Sequence, residues 1–407
     1  MSKNKKRRRE SVKNVVSAQN RSESAVPVTE THREENSTVA NVEAVTEKIP
    51  SVSVVIPMFN AAKFIPQTLE SLLYQTLTDF EVVVVDDCST DNSVEVVENF
   101  SERFGGRLKL VKLPKNTGTP GLPRNIGIQI ARGKYIAFLD SDDLFTKTAL
   151  EELSTLAEKF QADVVKLHQN FILWRGQKKS VDDSAFTDFN ELTNPKNFAL
   201  QTYQQERLSA PTAESDELAE RVKKWVKFSS DSSWATCLHF CRRDFLIANQ
   251  IFFPPMLTCE DAPFAFKALC LAKTYLNAPN VIYIVRPRAG SVSRDSGIIS
   301  AETDFRKRFL ALSDGFRELE KITDEIDFFR THPDYRYAVF EWYGSFRISI
   351  MLKFYLQNPA FRLNELVKKE FQPDEASFAA YLFNTVNVYR LQLMKLQQEF
   401  AALKKQS

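Results

Sequence analysis

The run "EVVVVDD" at Glu81 to Asp87 places four consecutive valines directly before two carboxylates. Four β-branched residues in a row offer no polar face to solvent, so the segment fits a strand that is covered on both sides. "VSVVIPMF" (Val52 to Phe59), "RLKLVKL" (Arg107 to Leu113) and "KYIAFLD" (Lys134 to Asp140) read as further strands. Helix-patterned stretches separate them. "KFIPQTLESLLYQT" spaces Phe64, Leu69, Leu72 and Leu73 near the helical period, "DNSVEVVENF" follows a turn, and "PRNIGIQIA" continues the alternation. Strands alternating with helices predict a mostly parallel sheet with flanking helices, an α/β domain.

At 407 residues the chain is long enough for two or three units. Residues 1–49 begin with the basic block "KNKKRRR" (Lys3 to Arg9) and continue poor in large apolar side chains, so they are expected to be disordered. The block suits a solubilising tail, or attraction to an anionic membrane surface worth about 1 kcal/mol per basic residue. The tail lacks the apolar region of a secretory signal, and no run of the chain is apolar enough to span a bilayer. The expected setting is cytoplasmic, with peripheral association at the inner face of the membrane as the variant the basic block allows. A net charge of +2, from 54 basic and 52 acidic residues, argues against nucleic acid as a partner. Five scattered cysteines and four distant histidines form neither a disulfide framework nor a zinc pattern.

Residues 50–299 are read as one α/β domain, interrupted at about 175–230 by a polar, mostly helical-looking insertion. Strand character returns at "WATCLHFCRRDFL" (Trp234 to Leu246) and "VIYIV" (Val281 to Val285). Residues 300–407 are rich in helix formers and aromatics. Val386, Tyr389, Leu393, Leu396, Phe400 and Leu403 form a short coiled-coil seam over 386–403, open to packing on its own domain or to self-association as a homo-oligomer. Six of the eleven glycines lie between Gly105 and Gly133, where the chain needs either a tight connection or close approach to a ligand.

Carboxylates gather at the expected strand ends. "VVVVDD" delivers Asp86 and Asp87, and "IAFLDSDD" delivers Asp140, Asp142 and Asp143. In a doubly wound sheet the carboxyl ends of the strands are where ligands bind. Residues two apart in extended chain point the same way, so Asp140 and Asp142 are able to address one ligand. Like charges this close need a cation or hydrogen-bond donors, and magnesium or manganese on a diphosphate supplies one. Ser141 to Asp143 are also residues that cap a helix, here one starting near Thr146. In "DDCSTDNS", Thr90, Asp91 or Asn92 is expected to cap the next helix with Glu95 as capping-box partner, which leaves Asp87 unexplained. In "LTCEDAPFAFKALC", Glu260 and Asp261 precede a helical stretch. A helix dipole stabilises acids there by about 0.3–1 kcal/mol, and the same position suits a general base.

Taken in order, "VSVVIPMFNAAKFIPQTLESLLYQTLTDFEVVVVDDCSTDNS", "NTGTPGLPRNIGIQIARGKYIAFLDSDD" and "LTCEDAPF" resemble the glycosyltransferases of family 2, with the GT-A nucleotide-sugar fold. The resemblance is dense over 51 to about 170 and thinner over 232–294. It implies that Pro57, Phe59 and Asn60 form the turn beside the nucleotide base and that Asp87, with Asp86, contacts base or ribose. Arg124 and Asn125, in a segment with Pro123 where the family has alanine, lie near the diphosphate. Asp140 and Asp142 form the metal motif, Asp142 being the stronger ligand for Mn2+ or Mg2+. Glu260 and Asp261 form the acid pair whose aspartate is the catalytic base. Arg288, Ser291 and Ser293 of "RAGSVS" match a late diphosphate segment. "QQERL" at Gln204 to Leu208 lacks the tryptophan of the processive synthases and precedes Glu260, so a non-processive enzyme is implied.

The implied reaction is an inverting transfer of sugar from a UDP-sugar donor to the hydroxyl of a glycan or lipid-linked acceptor. Bacterial surface glycan assembly, such as capsule or lipooligosaccharide, is the implied setting. Two other readings stay open at this point: a sugar nucleotidyltransferase, against which "PMFNAAKF" lacks a glycine-rich basic loop, and a non-catalytic assembly protein using its C-terminal helices.

Overall fold

Strand β1 (Val52–Met58) is buried along its whole length. It pairs in parallel with β2 (Phe80–Asp86) on one side and β4 (Tyr135–Phe138) on the other, and β3 (Leu108–Lys112) extends the sheet beyond β2. In the computed structural model the described residues are 48–173, 198–202, 208–228, 234–286 and 301–357. Residues 49–407 form one unit, and the description is of that unit. The basic tail, the seam at 386–403, Arg288, Ser291 and Ser293 lie outside the described residues, as does Gln204 to Glu206.

Among the described residues the main sheet has eight strands, in the order β3-β2-β1-β4-β10-β6-β11-β9. Its right half adds β6 (Val164–Leu167), β9 (Thr212–Ala213), β10 (His239–Arg242) and β11 (Tyr275–Ala278). Strand β10 runs antiparallel to both β4 and β6, and β9 antiparallel to β11. The remaining strands share one direction, so their carboxyl ends open on one edge. A second sheet, in the order β5-β12-β7-β8, combines β5 (Leu144–Phe145), β7 (Gln169–Leu173), β8 (Phe198–Thr202) and β12 (Tyr283–Val285). This is the expected α/β fold, a mostly parallel sheet with flanking helices and a helical C-terminal region.

Two departures from the sequence reading have simple causes. The insertion at 175–230 carries strands β8 and β9 besides a helix, because β8 finds a partner edge on β7 and β9 one on β11. Trp234 to Leu246 is strand only at His239–Arg242. A short 3-10 turn precedes it and a helix, Arg243–Ala248, follows.

Helices α1 (Ile65–Leu73), α2 (Ser93–Phe100) and α3 (Gly121–Ile130) connect the left-hand strands, and α4 (Ala149–Phe160) leads from β5 to β6. Helix α3 lies so close to β1 that a Cβ on Gly127 would stand 2.3 Å from Val55 Cγ1. The glycine there admits a close helix–strand approach. Farther along, α5 (Leu218–Phe228), α6 (Arg243–Ala248) and α7 (Asp261–Leu271) cover the right half. Buried Arg221 on α5 donates to the carbonyls of Leu269 (3.1 Å) and Lys273 (3.1 Å), placing a cation at the negative end of α7.

The C-terminal part contributes α8 (Ala301–Glu325), α9 (Asp327–Thr331) and α10 (Pro333–Gln357). Tyr343 of α10 donates to the carbonyl of Ala311 at 3.0 Å, crossing α8 where Gly315 leaves room for its ring. Trp342 meets Trp225 and Trp234 edge to face at 5.6 and 5.4 Å, so α10 packs into the same apolar core as α5 and β10. No helix among the described residues is long and apolar enough to cross a membrane.

Candidate active site

The first turn of the site follows β1. Pro57 is buried within the strand, in register with Val85, while Phe59 is 44% exposed beyond its end. Asn60 adopts a left-handed φ of 48°, which an asparagine tolerates better than most residues. Its backbone N–H donates to Ser89 Oγ (2.9 Å), and its side-chain oxygen accepts the N–H of Thr90 (2.8 Å). The turn is therefore latched to the loop after β2. The expected capping box does not form: Asn92 is the N-cap residue but makes no side-chain cap bond. Asp91 instead accepts the N–H groups of Ser93 (3.0 Å) and Ala62 (3.1 Å), serving the turn on both sides.

At the end of β2, Asp86 accepts the N–H of Ser89 on both oxygens. Asp87 is held by Thr117, whose N–H donates at 2.8 Å and whose hydroxyl donates at 2.9 Å. Burial raises the Asp87 pKa from its ordinary value, despite those bonds. Thr117 lies in the loop that leads directly into α3, so Asp87 is tied to the helix carrying Arg124.

Arg124 is the centre of the site. It is 4% exposed, and its Nη2 donates to Asp140 Oδ1 at 2.8 Å. Nη1 reaches Glu260 Oε1 and Asp261 Oδ1, each at 3.2 Å, across 136 and 137 residues of sequence. Burial works against its charge, but the three carboxylates outweigh burial and push its pKa higher still. One cation does not offset three acids, and the deficit falls on the most enclosed of them. Burial and then Asp261 raise Glu260 to about 7. Asp261 opens α7; its second oxygen accepts the N–H of Thr236 at 3.2 Å, and its side chain is 24% exposed. Asn125 turns the other way, exchanging 2.9 and 2.8 Å hydrogen bonds with the backbone of Phe253. Its amide positions that loop.

The turn after β4 does not cap a helix, since α4 starts only at Ala149 and its N-cap Thr148 makes no side-chain cap bond. Asp140 and Asp142 are partly exposed and Asp143 is buried. Asp143 accepts the Tyr283 hydroxyl (2.8 Å) and the Arg286 N–H (2.8 Å), and burial together with Asp142 and Asp140 raises its pKa well above normal. Asp143 is thus a structural acid. Among the described residues no three His, Cys, Asp or Glu side chains are grouped to hold a metal ion. A magnesium or manganese ion carried in on a diphosphate needs only one or two carboxylates, with phosphate and water oxygens completing its shell. Asp140 and Asp142 fit that requirement, both being open to solvent.

Thr117, Tyr283, Arg286, Cys237 and Cys259 belong to this site without any motif to mark them. Burial, then Asp140, Asp143 and Asp261, push the Cys237 thiol well above its ordinary pKa, keeping it neutral. Cys259 adopts a φ of 62° directly before the acid pair and accepts from Arg347 Nη1 of α10 at 2.5 Å.

Fold and site together describe an α/β domain that presents acids from one strand end and one helix start around one guanidinium. Residues 53–211 match the family model Glycosyl transferase family 2. The poly(ribitol-phosphate) β-N-acetylglucosaminyltransferase TarS of Staphylococcus aureus is 37% identical over 131 residues, covering 32% of this chain and 22% of that protein. The glycosyltransferase GlyG of Streptococcus pneumoniae is 26% identical over 258 residues, or 63% of this chain and 78% of that one. Among solved structures, residues 1–349 of S. aureus TarS in complex with UDP-GlcNAc align at a TM-score of 0.45 with 27% identity, covering 66% of each chain. The chain thus spans about a fifth of the length of TarS.

Proposed function

We propose that the protein is an inverting, non-processive glycosyltransferase that moves a sugar from a UDP-sugar to an acceptor hydroxyl. The observation that carries this reading is Arg124, which joins Asp140 of the D-x-D turn to Glu260 and Asp261 in one cluster. Chemistry at a nucleotide-sugar needs two functions near each other: charge neutralisation at the leaving diphosphate and proton removal at the acceptor. The D-x-D turn serves the first and the α7 N-terminus the second.

Asp261 takes the acceptor proton, its carboxylate held in place by Arg124 and the Thr236 N–H. Phe59 and Asn60 border the nucleobase, while Asp87 receives the ribose. Asp140 and Asp142 are the residues that would hold Mn2+ or Mg2+, which as a Lewis acid stabilises negative charge on the departing UDP. The family resemblance assigns Arg288, which lies outside the described residues, to the diphosphate as well. Relatives named for poly(ribitol-phosphate) glycosylation support a surface-glycan acceptor. Action at the inner face of the membrane rests on the Lys3 to Arg9 block, and vesicle sedimentation with that block replaced by glutamine tests it.

The deciding experiment measures UDP release from a panel of UDP-sugars with acceptor and Mn2+. Asp261→Asn should lower turnover by roughly 10²–10⁴ with UDP affinity preserved. Full turnover in that variant removes Asp261 from the role of base.

A further inference from the structure

Three carboxylates in four positions are more than a nucleotide-borne cation needs, and the surroundings of the third show what it is for. Asp143 faces inward, and both its oxygens are engaged by β12 and the residue just after it: the Tyr283 hydroxyl at 2.8 Å and the Arg286 N–H at 2.8 Å. The same Tyr283 oxygen accepts the backbone N–H of Asp140 at 3.2 Å. Arg286 Nε donates to the carbonyl of Asp142. Each residue of the D-x-D pair is therefore held through its own backbone.

The clamp extends to a third element. Arg286, 3% exposed, also reaches Gln67 Oε1, the Phe64 carbonyl (3.0 Å) and Thr68 Oγ1 (2.9 Å). Thr68 in turn donates to the carbonyl of Ser141, the residue between the two candidate ligands, at 3.0 Å. Phe64 to Thr68 begin α1, which follows directly from the Phe59–Asn60 turn. One guanidinium thus fixes the turn after β4 against the helix that leaves the nucleotide side. A forked, planar cation distributes its donors in this way, and an ammonium does not.

We propose that Tyr283 and Arg286 are positioning residues that set the spacing of the Asp140 and Asp142 carboxylates for a divalent cation, with Asp143 as their anchor. The inference rests on the nucleotide-sugar reading of the site. Residues hydrogen-bonded behind metal ligands typically change metal affinity about 10–100-fold when removed.

The test uses the full chain, with MnCl2 and UDP as probes. Calorimetry measures UDP binding across a Mn2+ series and without metal, and Mn2+ paramagnetic resonance follows the ion directly. Tyr283→Phe keeps the ring, which packs edge to face on Phe145 at 5.7 Å, and removes only the hydroxyl. The half-saturating Mn2+ concentration should rise about 10–100-fold in Tyr283→Phe, with metal-free UDP binding within about twofold of the parent and turnover restored at high Mn2+. Arg286→Lys should show the same displacement despite its retained charge. If Arg286→Lys loses its fold, Tyr283→Phe decides alone. An unchanged Mn2+ requirement in Tyr283→Phe overturns the proposal, as does an equal loss of metal-free UDP binding. Absence of Mn2+-dependent UDP binding in the parent protein is a different outcome, one that overturns the nucleotide-sugar reading itself and this proposal with it.

Discussion

Arg124 Nη2 stands 2.8 Å from Asp140 Oδ1 while the other terminal nitrogen of the same guanidinium serves Glu260 and Asp261. The D-x-D turn and the acid pair are thus compensated by one shared charge, and a change at either end is felt at the other. Arg124→Met leaves three carboxylates facing each other without a cation. Removing one partner from a buried pair costs about 3–5 kcal/mol, so the variant should unfold at markedly lower urea. Adding Glu260→Gln should restore part of the loss, because one of the uncompensated charges goes with it. Arg124→Lys should not rescue, since a single ammonium does not span three acceptors.

Glu260 makes the site's stability depend on pH. Its pKa is near 4.5 when solvated and about 7 in the fold. Between those values the folded chain holds a proton that the unfolded chain has released. The contribution is therefore fully present below about pH 4.5 and is lost as pH rises through 7. Thermal unfolding of the parent and Glu260→Gln from pH 5 to 8 checks the sign. The difference in midpoint should move in favour of the Gln variant as pH increases; a constant difference removes Glu260 as its source.

Asp87 is held by two bonds from Thr117 before any nucleotide arrives. A hydrogen bond to a charged group contributes about 1.5–3 kcal/mol, so Asp87→Ala should weaken UDP binding roughly 10- to 100-fold. Thr117→Val removes the hydroxyl but keeps the N–H, and a smaller loss in the same direction is expected. Calorimetric titration with UDP distinguishes the two from the parent.

Arg347 reaches across 88 residues to Cys259 Sγ, next to the acid pair. Arg347→Met should lower turnover at saturating donor while leaving the Kd for UDP close to the parent value, because its bond to Cys259 lies beside the acid pair. A proportional loss of UDP binding would place Arg347 in general stability instead.

The sequence made the left half of the domain plain. Val82 to Val85 have one reading as a doubly covered strand, and the acids behind them mark its carboxyl end. Glu260 and Asp261 were legible as the start of a helix. What could not be read was partnership over distance. Tyr283 and Arg286 look like ordinary strand residues, and only the pairing of β12 with β5 brings them under the D-x-D turn. The strands inside the insertion were hidden for the same reason: β8 and β9 are only five and two residues long and exist through the edges they pair with. Asn125, expected beside the diphosphate, bonds the Phe253 backbone because α3 turns that face toward the loop before α7.

The contact between α10 and residue 259 bears on where this chain divides into parts. A boundary drawn near residue 300 separates the α/β body from a helical appendage on paper, yet the appendage bonds the residue directly before the acid pair. Helical pairs of this type are therefore poor candidates for simple transplantation. A graft of these helices must also bring a counterpart for the thiol at 259, or the turn before the acid pair loses that bond.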